Sequence, residues 1–136
     1  MQETYISKQN LQIVENSWKT TALQTGNPNQ KGNQAMRDSI IMTKYQGLGN
    51  DYLVLDANKN QLQLQGKKIA LLCQRGFGLG ADGVLYGPVD INGKMGMRIF
   101  NSDGSEAAIS GNGVCIFAKY LLDNEYVKEK KFAIET

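Results

Sequence analysis

Apolar residues follow the period of a β-strand at several places from Met42 to the end of the chain. Apolar runs bounded by turn residues predict strands over four segments: Tyr52–Asp56, Gly83–Tyr86, Met95–Phe100 and Phe132–Ile134. Met97 and Ile99 share one face of the third strand, because side chains alternate across a strand. Gly87-Pro88 is expected to stop the second strand, and Asn92-Gly93 predicts a hairpin turn before the third.

Two segments carry helical spacing instead. Lys67–Gln74 predicts a helix that turns three apolar residues inward, Ile69, Leu72 and Cys73, and ends at Gly76. Val114–Leu122 predicts the stronger helix, since its apolar residues recur at helical intervals at Val114, Phe117, Ala118 and Leu121. The combined pattern favours an α+β fold with mostly antiparallel strands around a central helix.

The first 41 residues differ from the rest in composition. Lys8–Asn10 and Thr25–Gln34 are polar stretches of the kind that do not pack into a core. Leu11, Val14 and Trp18 lie between them at helical spacing. We interpret residues 1–41 as a flexible polar leader, with a docking helix as the alternative, and expect the folded domain to begin at Met42.

Composition excludes several classes of function. The chain has 136 residues, which suits one domain, and its 15 basic and 13 acidic residues give a net charge of +2. No clustered basic face indicates a nucleic-acid or membrane partner. With no histidine, chemistry based on Ser-His, Cys-His or histidine-bound metal is excluded. Two cysteines make no disulfide framework, and the chain lacks a signal peptide, so a cytoplasmic location is expected.

A glycine-rich segment, Gly78–Gly83, matches the dinucleotide-binding fingerprint letter by letter. That motif functions between a preceding strand and a following helix, whose N-terminus holds the pyrophosphate. Here a predicted helix precedes the segment and a predicted strand follows it. We therefore interpret the glycines as residues that supply positive φ in a tight loop.

Ser110-Gly111-Asn112-Gly113 opens the predicted helix and supports two interpretations. Serine is a favoured N-cap, so the segment is consistent with an ordinary helix start. The same geometry presents free N–H groups to an anion such as a substrate carboxylate. Two polar turns, Gly47–Asp51 and Asn101–Glu106, likewise suit either plain turn chemistry or a shared site.

Taken together, four segments resemble the first half of diaminopimelate epimerase in order and spacing. They are Lys44–Tyr52, Gly78–Gly83, Arg98–Glu106 and Ser110–Gly113, within residues 42–136. The resemblance implies a fold of two similar α+β lobes, each a mostly antiparallel sheet rolled around a central helix, with the active site between them. It also implies interconversion of LL- and meso-diaminopimelate in lysine and peptidoglycan precursor synthesis, without pyridoxal phosphate, metal or any other cofactor.

The resemblance further implies the residues of the site. Asn50, Asn101, Gly111 and Asn112 would contact an amino-acid substrate, and position 110 would hold the first lobe's acid/base. The family has cysteine at that position, and this chain has Ser110. Cys115 stands where the family usually has arginine, and Gly83 where some members have glutamine.

The family chain is longer, and its second lobe, with a further cysteine and a Glu-Arg pair, has no counterpart in these residues. Three hypotheses follow. The chain is an epimerase-family enzyme or a fragment of one; it is a catalytically silent, amino-acid-binding half that pairs with a separate second lobe; or it is a truncated product without function. A homo-oligomer is the other expected association, because this half exposes the face that should pack on its partner.

Overall fold

A computed structural model describes residues 3–5, 14–25, 38–60, 65–129 and 131–136. In chain order the elements are β1 (Glu3–Tyr5), β2 (Val14–Thr25), β3 (Asp38–Gly47), β4 (Asn50–Asp56), α1 (Gly66–Cys73), β5 (Gly83–Ile91), β6 (Lys94–Asn101), β7 (Glu106–Ala107), α2 (Gly111–Asp123) and β8 (Ala133–Glu135). The strands of the described residues form one sheet in the order β1-β8-β6-β5-β4-β3-β2, and β7 pairs with β6. Among the described strands, only β4/β5 and β6/β8 are parallel pairs. The prediction of a mostly antiparallel α+β fold is confirmed.

Helix α2 lies at the centre of the larger core. Strands β2 to β5 all approach it, and its side chains Val114, Ile116, Phe117 and Leu121 are fully buried. Met97 and Ile99 of β6 and Ile134 of β8 complete the same cluster, so the sheet rolls around the helix. Burying each large apolar side chain contributes about 1.5–3 kcal/mol, which makes this cluster the main source of stability.

Helix α1 covers the opposite face of the sheet. Its buried residues Ile69 and Cys73 belong to a second cluster with Leu53 and Leu55 of β4. Tyr52 and Val54 of β4 point instead to the α2 side, because successive side chains of a strand alternate between faces. The sheet therefore contributes to two cores, with α2 on its concave face and α1 on the other.

Several sequence predictions are confirmed. Met97 and Ile99 share the α2 face of β6, and all four helical positions named for α2 are buried. Asn92 and Gly93 have φ of 53° and 78°, as a tight hairpin turn requires. The helix predicted over Lys67–Gln74 is α1, which begins one residue earlier, at Gly66, and ends at Cys73, before Gly76. Of its three predicted inward residues, Leu72 is only partly buried against the second core.

One alternative and one prediction are wrong. Val14–Thr25 is a strand that pairs with β3, where the spacing of Val14 and Trp18 indicated a helix. Leu11 lies outside the described residues, as do residues 26–37. Gly87-Pro88 does not stop β5, which continues to Ile91. Its ladder with β6 shifts register between Tyr86 and Val89, and this irregularity accommodates a proline that has no N–H to donate.

Strand β3 passes through the expected domain start at Met42, because it begins at Asp38. The buried side chain of Asn60 fixes the start of β3 through the backbone of Ile41. It accepts from the Ile41 N–H at 2.7 Å and donates to the Ile41 carbonyl at 2.9 Å. The division into a flexible leader and a domain starting at Met42 stays a prediction.

A backbone contact joins the start of α1 to the turn after β6. Gly104 has φ of 88°, and a Cβ on it would lie 2.1 Å from the carbonyl oxygen of Gly66. A Cβ on Gly66 would lie 3.0 Å from the carbonyl oxygen of Gly104. Gly104 therefore excludes a side chain in the present arrangement, and Gly66 leaves only a tight fit for one.

Candidate active site at the start of helix α2

Ser110 caps helix α2 as its sequence pattern predicted. Its backbone is extended, with φ of −147° and ψ of 111°, and its carbonyl accepts from the N–H of Val114 at 2.9 Å. The Ser110 hydroxyl oxygen accepts from the N–H of Gly113 at 3.1 Å. The first N–H groups of a helix have no acceptor within it. With Gly113 satisfied by the cap, Gly111 and Asn112 supply the N–H groups that face outward.

The two glycines of this helix start have different surroundings. A Cβ on Gly111 would meet nothing within 4 Å, so the backbone there faces open space. A Cβ on Gly113 would lie 3.1 Å from both a Leu85 methyl group and the Ser110 hydroxyl oxygen. Gly113 therefore lets the helix pack closely on β5, whereas Gly111 leaves room in front of the N–H groups.

Asn50 and Asn112 are brought into direct contact. The Asn112 amide donates to the Asn50 side-chain oxygen at 2.7 Å and to the Leu48 carbonyl at 3.2 Å. Leu48 and Gly49 have φ of 58° and 84° and form the tight turn between β3 and β4. These hydrogen bonds join the polar turn Gly47–Asp51 to the start of α2, as the shared-site interpretation requires.

Asp82 fixes the orientation of the Asn50 amide. One Asp82 oxygen accepts from the Asn50 side-chain N–H and from the Asp51 backbone N–H, both at 3.0 Å. Because the Asn50 nitrogen faces Asp82, its oxygen is left to face Asn112. Asp82 is one of the motif residues quoted above, but turn chemistry alone did not identify it as a partner of Asn50.

Charged groups surround Asp51 behind this contact. Arg75 donates to both carboxylate oxygens of Asp51, at 2.9 and 2.8 Å, and to Asp82 at 3.1 Å. Lys44 lies 3.2 Å from Asp51. The hydrogen bonds from Arg75, and next those from Lys44, hold the pKa of Asp51 well below its usual range. An open cleft of about 500 Å³ adjoins this cluster, lined by Gln46, Gly47, Gly49, Asn50, Asp51, Arg75 and Asp82.

Asn101 lies at the same end of the sheet but does not contact the other predicted residues. It pairs with Gly83, which in turn pairs with Tyr52, so two strand spacings, about 10 Å, separate β6 from β4. Its side chain donates to the Ser105 hydroxyl at 2.9 Å, and its backbone N–H donates to the Ser105 carbonyl at 2.8 Å. The structure thus brings Asn50, Ser110, Gly111 and Asn112 together and places Asn101 across the sheet.

Tyr52 is the residue of this site that sequence reasoning missed. Its phenol oxygen lies 3.1 Å from the Ser110 hydroxyl oxygen. The available signal was its position, at the end of the quoted segment Lys44–Tyr52 and on the α2 face of β4. Cys115, by contrast, packs partly buried beside the larger core.

Two other places in the described residues bear on function. Gly78–Gly83 follows α1 and leads into β5, whose first residue is Gly83. The order needed for dinucleotide binding is therefore reversed, and Gly80 has the positive φ expected of a tight loop. A second groove of about 770 Å³ runs beside β5, β6 and β7 and includes none of the predicted site residues. No helix in the described part of the chain has the length and apolar character to cross a membrane.

Comparison with known proteins gives a consistent result. A family model for diaminopimelate epimerase matches residues 42–136. Diaminopimelate epimerase 2 of Nostoc sp. is 50% identical over 94 residues, which are 68% of this chain and 33% of that protein. Diaminopimelate epimerase of Methanothermobacter thermautotrophicus is 42% identical over 101 residues, 71% of this chain and 35% of that protein. The chloroplastic diaminopimelate epimerase of Oryza sativa subsp. japonica is 46% identical over 89 residues, which are 64% of this chain and 25% of that protein. The match thus covers about a third or less of each of these relatives.

Proposed function

This chain belongs to the diaminopimelate epimerase family, and on that premise we propose that it forms the first-lobe half of a site that interconverts LL- and meso-diaminopimelate. In this proposal the start of α2 binds one amino-acid end of the substrate. Ser110 occupies the acid/base position of this half. No cofactor takes part.

The observation that carries the proposal is the 2.7 Å hydrogen bond between Asn112 and Asn50 in front of an open helix N-terminus. It makes one polar surface from two separate motifs of the sequence. The outward N–H groups of Gly111 and Asn112 lie in the positive field of the helix terminus and suit a carboxylate. The amides of Asn50 and Asn112 offer further hydrogen-bonding groups to an amino-acid end.

The chemistry expected of position 110 is demanding. Removal of the proton next to a carboxylate needs a strong, well-placed base. In the described part of the chain, the hydrogen bonds of the Ser110 side chain run only to the Gly113 N–H and the Tyr52 hydroxyl. A serine hydroxyl is a weak base unless a neighbouring group activates it. This observation favours a second candidate function, in which the chain binds the amino acid without catalysis and pairs with a separate second lobe.

Proton exchange distinguishes the two functions. The purified chain is incubated with LL-diaminopimelate in heavy water, and loss of the α-proton is followed by NMR, while binding is measured by calorimetry. Exchange supports catalysis by this half. Saturable binding without exchange supports the silent binding half, and the absence of both contradicts the proposal in either form.

Matched variants test whether the binding uses this surface. Asn112→Ala removes the amide that contacts Asn50 and should weaken binding about tenfold or more, as expected for a lost hydrogen bond to a charged ligand. Asn58→Ala removes an exposed amide that donates to Tyr126, away from the site, and should leave binding unchanged. Ser110→Cys supplies the thiol found in the family. If a complementary second lobe is added and this variant still shows no exchange, serine is not the cause of inactivity.

Association and location are part of the same proposal. A second lobe or a second copy of the chain would cover the open side of the site, and size-exclusion chromatography with a co-expressed lobe tests the association. A cytoplasmic location belongs to the proposal because two cysteines are too few for the disulfide framework typical of proteins in oxidising compartments.

A further inference from the structure

The Ser110 side chain has one side-chain partner among the described residues, and it comes from the sheet. Tyr52 is 9% exposed, and its hydroxyl oxygen lies 3.1 Å from the Ser110 hydroxyl oxygen. Asp82, the nearby carboxylate, contacts Asn50, Asp51 and Arg75 instead. The phenol of Tyr52 is therefore the group best placed to control the side chain at position 110.

The backbone of the sheet fixes the position of the Tyr52 ring. Tyr52 pairs directly with Gly83 of β5. A Cβ on Gly83 would lie 2.9 Å from a Tyr52 ring carbon and 2.3 Å from the Phe100 carbonyl oxygen. The ring thus lies over the space where a side chain at position 83 would begin. Glycine at position 83 is what lets the phenol reach the helix start.

Either hydroxyl can be the donor in the contact between Tyr52 and Ser110, and the hydrogen-bonding capacity of Ser110 leaves room for donation by the phenol. A serine hydroxyl has one hydrogen and accepts two hydrogen bonds. The Gly113 N–H occupies one acceptor position. Donation from Tyr52 would fill the second and would leave the Ser110 hydrogen for a further acceptor. There is room for such an acceptor in front of Gly111, where an added Cβ would meet no other part of the described chain within 4 Å.

We propose that Tyr52 is the positioning residue of the acid/base position: its hydroxyl donates to the side-chain atom at position 110 and aims that group at the substrate side. The role as a positioning residue for catalysis rests on the proposed function. The contact and its direction do not, and they are tested without any amino-acid ligand.

The test uses the full chain carrying Ser110→Cys and Cys115→Ala. Cys73 does not interfere near neutral pH, because burial raises the pKa of its thiol to about 11. The pKa of the new thiol is read from the pH dependence of its alkylation by iodoacetamide. A donor to the thiolate lowers its pKa, so Tyr52→Phe should raise that pKa by about one unit and slow alkylation at neutral pH about tenfold.

Tyr45→Phe is the matched control. Tyr45 is paired with Tyr52 across β3 and β4 and points into the same core, but its hydroxyl donates to Asp123 at 2.9 Å. This variant should leave the thiol pKa unchanged. An unchanged pKa in Tyr52→Phe, or an equal shift in Tyr45→Phe, overturns the proposal.

A second measurement compares the original chain with Ser110→Ala and needs no cysteine variant. The chain is labelled with ¹³C at the ring carbon that bears the tyrosine hydroxyl. Ser110→Ala should move the Tyr52 resonance and leave that of Tyr45 in place. If neither resonance moves, the hydroxyl pair does not exist in solution. Failure of the chain to bind diaminopimelate would overturn the proposed function while leaving both of these results intact.

Discussion

Ser110 has a structural role that is independent of any chemistry, because its hydroxyl satisfies the Gly113 N–H at the start of α2. Ser110→Ala removes this cap, and we expect the free energy of unfolding to fall by about 1 kcal/mol. Urea denaturation followed by circular dichroism measures the change. Ser102→Ala, on the exposed turn after β6, should change the free energy of unfolding by less than half as much. Equal losses in the two variants would mean that the cap does not stabilise the helix.

The orientation of the Asn50 amide also depends on a single residue, Asp82. Asp82→Ala removes the acceptor that faces the Asn50 nitrogen, so the amide can turn away from Asn112. We expect the dissociation constant for diaminopimelate to rise about tenfold, the equivalent of one hydrogen bond of about 1.4 kcal/mol. Calorimetric titration gives the value.

Asp90→Ala is the control for Asp82→Ala. Its carboxylate accepts from the Gly93 N–H in the hairpin between β5 and β6, so the substitution removes the same kind of group outside the site. Binding should be unaffected. If both variants bind as tightly as the original chain, Asn50 does not need Asp82 to present its oxygen.

At the scale of elements, the packing of β5 depends on Gly83, which pairs with Tyr52 of β4 and lies beneath its ring. Gly83→Ala places a Cβ 2.3 Å from the Phe100 carbonyl oxygen, so the β5/β6 ladder or the ring must move. We expect a loss of about 1–3 kcal/mol in the free energy of unfolding, as for overpacking of a core. Gly76→Ala is the control, since a Cβ there meets nothing within 4 Å. Similar denaturation midpoints for the two variants would contradict the close packing at Gly83.

Local patterns predicted the elements whose apolar residues face a core. Helix α2 and strands β4 and β6 follow from their apolar residues, because α2 buries its apolar face in the larger core and both strands contribute side chains to the two cores. Strand β2 does not, since its pairing with β3 is a long-range backbone interaction that overrides the spacing of Val14 and Trp18. The continuation of β5 past Gly87-Pro88 likewise depends on a shifted register with β6 that local turn chemistry does not encode.

The candidate site was predicted in its residues but not in its contacts. Ser110, Gly111 and Asn112 are neighbours in sequence, and the motif order pointed to Asn50. Tyr52 was missed because its partner lies 58 residues away, and the approach of its ring to Ser110 depends on the packing of α2 in the sheet. The place of Asn101 also follows only from strand order, which puts β5 between β4 and β6.

At the scale of the whole molecule, two tyrosines in the larger core make the stability of the fold fall at high pH. Burial, and next the hydrogen bonds to Asp123 and Asp56, raise the pKa of Tyr45 and of Tyr120. At alkaline pH both hydroxyls therefore stay protonated in the folded chain, whereas they ionise in the unfolded chain. Their contribution to stability is therefore complete below about pH 10, the usual tyrosine pKa, and is lost as the pH rises above it.

Absorbance titration of tyrosine ionisation beside circular dichroism checks this expectation. Of the six tyrosines in the chain, Tyr45 and Tyr120 should ionise only as the fold is lost. Tyr45→Phe should reduce the steepness with which the free energy of unfolding falls above pH 10. Full ionisation of all tyrosines in a chain that is still folded would contradict it.

The backbone contact between Gly66 and Gly104 has a consequence for which substitutions homologous sequences can accept. It connects the beginning of α1 on one face of the sheet to the turn that carries Asn101, so the two glycines constrain each other although they are 38 positions apart in the sequence. In an alignment of homologues we expect these two columns to vary together. A lineage that acquires alanine in one should also carry a compensating change in the length of the loop before α1, because otherwise the Asn101 turn would be displaced.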